Sequence, residues 1–282
     1  MRIAIAGMSG FVGNTLKKVF EQNGDEVIGL DRHDLNGDVA LLSTRLEGCE
    51  ALINLSGAPI IARWSDSYKQ TLRDSRLLTT QKLVDAMAKM SLPPSVFIST
   101  SAVGIYPNNG IYDESTQHYA DDFLGQLCQE WEQTALKAVA KRIVITRFGI
   151  VMGRDGGALA QMLPIFRLGL GGVIGSGEQH FSWIHIDDLT RGFTQIIANE
   201  TMHGVYNFVA PEPTTNRGLT EALGKALHRP TIFPVPEFAL KLLYGEGAKV
   251  LTDGQKVIPK RLLNEGFRFE YPNIESAILN LV

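Results

Sequence analysis

Continuous apolar runs alternate along the chain with longer segments in which apolar residues return every three or four positions, and the two periods predict different elements. Residues 3–6, 27–30, 51–55, 96–98 and 143–145 are runs without apolar/polar alternation. That is the pattern of strands buried on both faces of a parallel sheet. Val12, Leu16, Val19 and Phe20 fall at i, i+4, i+7 and i+8, which gives a helix one apolar stripe to lay on such a sheet. Residues 65–90 predict a long helix with Leu72, Leu83, Met87 and Met90 on one face, closed by Pro93 and Pro94. Leu124, Leu127, Trp131 and Ala135 mark another. Strands and helices in strict turn predict an α/β fold with a doubly wound parallel sheet.

The pattern changes after Val151. Eight glycines (153, 156, 157, 169, 171, 172, 175 and 177) crowd a segment with one short expected helix over 159–168. Such a stretch reads either as a lid or substrate wall, or as irregular connection. A short strand at 183–185 runs into a helix, and 205–209 reads as the last strand of the sheet. Prolines then separate short helices, including 219–227 and 238–244. The expected division is residues 1–150, with strands returning near 181–209, as the main domain. Residues 151–180 and 210–282 would form a smaller substrate domain over the carboxyl ends of the strands.

Length and charge narrow the classes. At 282 residues with 44% hydrophobic content, a large core is available. A net charge of -3, with no Lys/Arg-rich run, argues against nucleic acid or a membrane surface as partner. Cys49 and Cys128 stand far apart without metal-ligand spacing, which fits a reducing cytoplasm and predicts no metal site. The first strand begins at Arg2, so no signal peptide is expected. A homodimer is left open.

The candidate chemistry begins where the first strand breaks. Gly7, Gly10 and Gly13 surround Ser9, Phe11 and Val12 at a strand-to-helix turn, so Gly7 allows the turn, Gly10 close approach of a pyrophosphate, and Gly13 close packing. The helix N-terminus offers unpaired N–H groups and a positive dipole to phosphates. Asp31, at the end of the second strand, stands where a Rossmann-type fold holds an adenosine ribose. The polar stretch 32–38 reads as a solvated loop or as the cofactor-selecting loop. Asp31 favours NAD, whereas the Arg32 guanidinium suits the extra phosphate of NADP. Leu55, Ser56 and Gly57 offer small residues for a cofactor to lie against, and Arg76 is a candidate to reach cofactor or substrate.

Ser99 and Ser101 end a strand that faces the ligand crevice, where Ser101 could bond a substrate oxygen or simply cap loose backbone groups. Asp113, Glu114, Asp121 and Asp122 read mostly as helix caps. His185 beside Asp187 and Asp188 reads as a catalytic pair, or as a packed histidine with Asp187 capping a helix. Lys256, Lys260 and Arg261 read as a solvated basic face, or as contacts to an anionic substrate.

Over nearly its whole length the chain resembles the extended short-chain dehydrogenase/reductase superfamily, the nucleotide-sugar epimerases and dehydratases. Gly7, Gly10 and Gly13, Asp31, the run 54–57 and the serine-rich strand end 99–101 carry that resemblance. The runs Arg63-Trp64, Ser75-Arg76, Arg147-Phe148-Gly149, Gly156-Gly157, Met162-Leu163-Pro164, 166–172 and 183–188 are similar to an atypical branch of epimerase-family proteins with a C-terminal domain of unknown function. The superfamily transfers a proton through a Tyr-x-x-x-Lys pair, in which lysine lowers the tyrosine pKa. Aligned on Glu132 and Gln133, those positions hold Leu124 and Cys128, which cannot do that work.

The expected function is therefore an NAD- or NADP-dependent oxidoreductase or epimerase-like enzyme on a small molecule, a nucleotide sugar being one class the resemblance implies. Ser101 would orient the substrate, and Tyr106 or His185 would replace the missing acid and base. The other reading is a cofactor-binding sensor without turnover.

Overall fold

The apolar runs become the strands of one parallel sheet. The computed structural model describes residues 1–108 and 110–282, in chain order β1 (Arg2–Ala6), α1 (Phe11–Gln22), β2 (Glu26–Leu30), α2 (Arg32–Asn36), α3 (Val39–Leu46), β3 (Ala51–Asn54), α4 (Asp66–Met87), β4 (Val96–Ala102), β5 (Ile111–Tyr112), α5 (Phe123–Ala135), β6 (Arg142–Phe148) and β7 (Ile150–Gly153). There follow α6 (Gly157–Arg167), β8 (His180–Phe181), β9 (Trp183–His185), α7 (Ile186–Ala198), β10 (Gly204–Phe208), β11 (Thr214–Thr215), α8 (Asn216–Leu227), α9 (Glu237–Tyr244), α10 (Lys249–Thr252), β12 (Lys256–Val257), α11 (Lys260–Asn264) and α12 (Ile274–Leu281).

Six strands pair in the order β10-β6-β4-β3-β1-β2, all parallel. From β1 the chain first moves outward to β2, then returns to β3 on the other side and continues outward. This reversal opens a crevice at the carboxyl ends of β1 and β3, the usual place for a ligand in such sheets. Side chains alternate between the two faces. Ile3, Ile5, Ile53, Ile98 and Val144 pack with α1 and α7 on one face, and Ala4, Ala6, Leu52, Phe97 and Ile145 pack with α3 and α4 on the other. Burial on both faces is why the strands read as unbroken apolar runs.

The second half adds its own cluster, in which Leu159 and Leu163 of α6, Trp183, Leu219 and Leu223 of α8, and Ile278 and Leu281 of α12 pack together. The tail is tied to α7 by Asp188. Its buried carboxylate accepts from Glu270 N at 2.8 Å, Tyr271 N at 2.9 Å and Arg191 Nη1 at 2.8 Å. Among the described residues no helix is long and apolar enough to cross a membrane.

Several local expectations are corrected. The stretch 32–38 is not a loop at its start but the helix α2, because Asp31 and Asp34 form a reciprocal capping box at 2.9 and 3.0 Å. His185, not Asp187, caps α7, its Nδ1 accepting from Asp187 N at 3.1 Å. Of the acidic residues before α5 only Asp122 caps it. Asp113 instead binds Lys260 at 2.8 Å, and Glu114 accepts from Asn207 N and Arg261 N. Lys260 and Arg261 are thus fasteners rather than a free basic face; the Arg261 guanidinium also stacks 4.2 Å over Tyr206.

Asp188→Asn would turn one acceptor into a donor facing a backbone N–H, leaving buried groups unpaired. It should lower the free energy of urea unfolding by about 2–3 kcal/mol; a change under about 0.5 kcal/mol would mean that the tail docks without this carboxylate.

Candidate functional site

The glycine loop is built from contacts that exclude side chains. Gly7 has φ +82°, and a Cβ there would lie 2.9 Å from the Leu55 carbonyl carbon. A Cβ at Gly13 would collide with the Gly7 carbonyl, so the start of α1 lies directly on the end of β1. Gly10 meets only the Gly7 oxygen, at 3.3 Å, and otherwise faces open space. Helix α1 begins with no capping side chain and no acidic residue in its first turn, whereas α2, α3, α4, α5 and α7 each have a side-chain cap. The N–H groups of Phe11, Val12 and Gly13 therefore have no side-chain cap, as at the N-termini of α6 and α9. Ser9 is exposed at the tip of the loop. The Phe11 ring fills the space that side chains at Gly153 and Gly156 would take, which brings the glycine-rich segment against the loop.

At the adjoining strand ends, Leu55 N donates to Ala6 O at 2.9 Å and Ser56 N to Asn54 Oδ1 at 3.2 Å. The Ser56 hydroxyl is buried without a partner, as is that of Thr100. Ser99 is turned inward, its Oγ 3.4 Å from Asn54 Nδ2. Asp31 is exposed, and the Asp34 backbone N–H holds its carboxyl below the usual range. Arg32, next to it, is exposed and forms no ion pair among the described residues.

The serine strand leads into a buried ionic network. Arg147 on β6 donates from Nε to Glu132 Oε1 at 2.8 Å and from Nη2 to Glu132 Oε2 at 2.7 Å. Ser101 Oγ donates to the same Glu132 Oε1 at 2.6 Å. Arg147 Nη1 donates to the Tyr106 hydroxyl at 2.8 Å, which in turn donates to Asn207 Oδ1 at 2.9 Å. Burial opposes the Arg147 charge, but the bonds and charge of Glu132 outweigh it and raise the pKa. Burial likewise raises the Tyr106 phenol, with Arg147 only partly opposing, so it is protonated at neutral pH. Ser101 and Tyr106 are thus brought together, each engaged with a partner.

His185 lies elsewhere. It is 1% exposed, stacks on Tyr271 at 3.8 Å, and borders a cleft of about 410 Å³ together with Phe11, Lys18, Arg154 and Asn280. Its Nδ1 accepts from Asp187 N, which places the proton of the neutral ring on Nε2. Burial lowers its pKa, against Asp187 and Asp188. Sequence reasoning did not single out Glu132, Arg147 and Asn207 as a network. The available signal was an arginine inside an apolar strand and a glutamate four residues after Cys128 on one helix face.

Two family comparisons fit this geometry. Residues 3–208 match the NAD dependent epimerase/dehydratase family. The chain belongs to that family. Residues 235–281 of this epimerase-family chain match a domain of unknown function, DUF1731. It is 38% identical over 99% of its length to an Arabidopsis thaliana chloroplastic homologue of epimerase family protein SDR39U1, covering 86% of that protein. It is 37% identical to human epimerase family protein SDR39U1, with both chains covered in full. The crystal structure of the human protein (isoform 2) with NADPH superposes with a TM-score of 0.94 at 36% identity, over 100% of this chain and 99% of that one. The expected resemblance and the doubly wound sheet are both borne out.

Leu124 and Cys128, which the sequence alignment sets at the superfamily's acid–base positions, lie about one turn apart on α5, and Cys128 is 4% exposed. Burial, then Glu132, pushes the Cys128 thiol up to about 12. No thiolate forms near neutral pH, and the native protein at pH 8 should leave this thiol unreacted with a disulfide reagent until denaturant is added; fast native labelling of Cys128 would contradict its burial. Arg147→Met should cost about 3–5 kcal/mol of unfolding free energy by stranding the Glu132 carboxylate. The double variant Arg147→Met with Glu132→Leu should recover most of that; strict additivity in urea unfolding would refute the coupling.

Proposed function

We propose that this protein binds NAD(P)(H) along the carboxyl ends of β1, β2 and β3 and carries out an oxidoreductase or epimerase-like reaction on a small molecule. The observation that carries this reading is the uncapped N-terminus of α1 above Gly7, Gly10 and Gly13, in a chain that is 36% identical to a protein solved with NADPH. The residues fit a dinucleotide: free N–H groups of Phe11, Val12 and Gly13 for a pyrophosphate, and the orphaned Ser56 hydroxyl beside Gly57. When bound, the cofactor supplies hydride chemistry. Asp31 and Arg32 sit at the adenosine end, where the carboxylate favours a ribose hydroxyl and the guanidinium a 2′-phosphate. The glycine-rich segment and residues 210–282 form the substrate side of this reading, with Phe11 as the contact between the loop and Gly153 and Gly156.

Within the chain, Arg147 fixes Glu132, Glu132 orients Ser101, and Asn207 orients Tyr106. Ser101 Oγ, donating its hydrogen bond to Glu132, keeps its lone pairs to accept from a substrate hydroxyl. A second reading, a cofactor-binding sensor without turnover, is favoured by the apolar Leu124 and the neutral Cys128. Titration with NADPH and NADH by fluorescence, followed by a panel of sugar nucleotides, aldehydes and quinones, separates them. Oxidation of the reduced cofactor by any panel member supports the enzyme, binding without turnover across the panel supports the sensor, and absence of binding refutes both.

Cofactor choice has its own test. Asp31→Ala should shift the NADPH/NADH affinity ratio about tenfold toward NADPH, and Arg32→Ala about as far toward NADH. An unchanged ratio in both variants would remove these residues from the adenosine site.

A further inference from the structure

We propose that α9 and the apolar surface beside it form a two-fold interface with a second copy of this chain. Three stretches of chain adjoin there. Arg229 Nε donates to Arg167 O at 2.8 Å, Gly172 pairs in a β-bridge with Ile232, and Gly175 N donates to Val235 O at 3.0 Å. Residues 229–235 thus run along the segment that follows α6 and lead straight into α9. Leu168 and Leu170 stand on the first stretch, Ile232 and Phe233 on the second, and Phe238 and Leu242 on α9; each is between 52% and 74% exposed.

Scattered exposed leucines are ordinary, but a continuous apolar patch beyond about 600 Å² on a monomer points to a partner. At about 200 Å² for a fully exposed large apolar side chain, these six present roughly 800 Å². That matches the ~800 Å² that each partner gives to a stable protein–protein interface. The patch also sits on fixed backbone. Leu240, on the opposite face of α9, is buried, Leu242 O accepts from Arg63 Nη1 at 2.7 Å, and Tyr244 O accepts from Trp64 N at 3.4 Å. Covering the patch therefore requires little further ordering of the chain.

What selects a second copy is the order of residues on α9. Phe238 and Leu242 are one turn apart on its outer face, and beside them Glu237 and Lys241 form an exposed pair at 3.5 Å. Laid antiparallel on itself about a two-fold axis, the helix sets Phe238 against Leu242 and Glu237 against Lys241, each twice. The two helix dipoles then oppose one another as well. One copy thus carries both halves of its own complement, apolar against apolar and charge against charge. The adjoining stretches, with Leu168 and Ile232, extend the contact beyond the helix. The inference is independent of the cofactor reading above.

Sedimentation velocity of the full chain over about 1–100 μM tests this, and wild type should dimerise with a Kd on the order of 1–10 μM. Phe238→Glu, at an exposed position where folding is not at stake, should weaken the dimer at least about a hundredfold. Glu237→Lys and Lys241→Glu should each weaken it about tenfold by setting like charges opposite one another. An equimolar mixture of those two variants should associate as wild type does, because each then offers the other its complement. Wild type monomeric over the whole range, or a dimer indifferent to Phe238→Glu, would overturn the inference. So would a mixture that associates no better than either variant alone. A wild-type monomer that cosediments with phosphatidylglycerol vesicles, and loses that binding in Phe238→Glu, would assign the patch to a lipid surface and overturn it too. Should Phe238→Glu not fold by circular dichroism, the two charge variants and their mixture decide.

Discussion

The buried pair of Arg147 and Glu132 is the interaction on which the site wall depends. A guanidinium in the interior is tolerated only when its charge is met and its donors are filled. Glu132 meets the charge through two bonds from Nε and Nη2, and Tyr106 takes a third donor. One contact thereby joins β6 to α5, holds Ser101 at the end of β4, and reaches Asn207 on β10 through the Tyr106 hydroxyl. The same network withdraws Ser101 and Tyr106 from free solvent. Any chemistry they perform is conditioned by these partners, and the high pKa of the Tyr106 phenol follows from burial that Arg147 offsets only in part.

Around this wall the two halves of the chain are fastened by polar contacts as well as by apolar ones. Asp113 with Lys260, Glu114 with the backbone of Asn207 and Arg261, and Gln255 with the carbonyls of Val103 and Tyr106 bring the tail to the segment after β4. Ser182 adds a bond to Gln255 O at 2.7 Å. The 3-10 turn after β4 is therefore held from the tail side, and Val257 packs there with Ile105, Tyr106 and Cys128. The tail thereby packs against the segment after β4, which explains why Lys260 and Arg261 are engaged in contacts there.

The departure from the superfamily's acid–base pair changes the electrostatics in a definite direction. A tyrosine and lysine would place a titrating phenol and a fixed charge on α5. Leu124 and Cys128 place an apolar wall and a thiol that stays protonated. Positive charge enters from α4 through Arg76 and from β6 through Arg147, and among the described residues the second is paired with a carboxylate, Glu132, while the first is not.

The sequence by itself determined the six strands of the sheet, helices α1 and α4 to α9, the glycine loop and the family. Those features are local: unbroken apolar runs, a 3.6-residue stripe, and glycines whose absent side chains are required at the contacts of Gly7 and Gly13. The short helix at Arg32–Asn36 escaped because its decisive signal, the reciprocal bonds of Asp31 and Asp34, competes with the reading of the same aspartate as a ribose ligand. Only the tertiary structure decided which charges meet. Ser101, Glu132, Arg147 and Asn207 come from four elements and are separated by 31, 15 and 60 residues or more along the chain. No periodicity encodes a partner at that range, because the pairing is set by strand order and by how α5 lies on the sheet. The same reason separates His185, capping α7 beside its own cleft, from Ser101 and Tyr106, the residues expected to share a site with it.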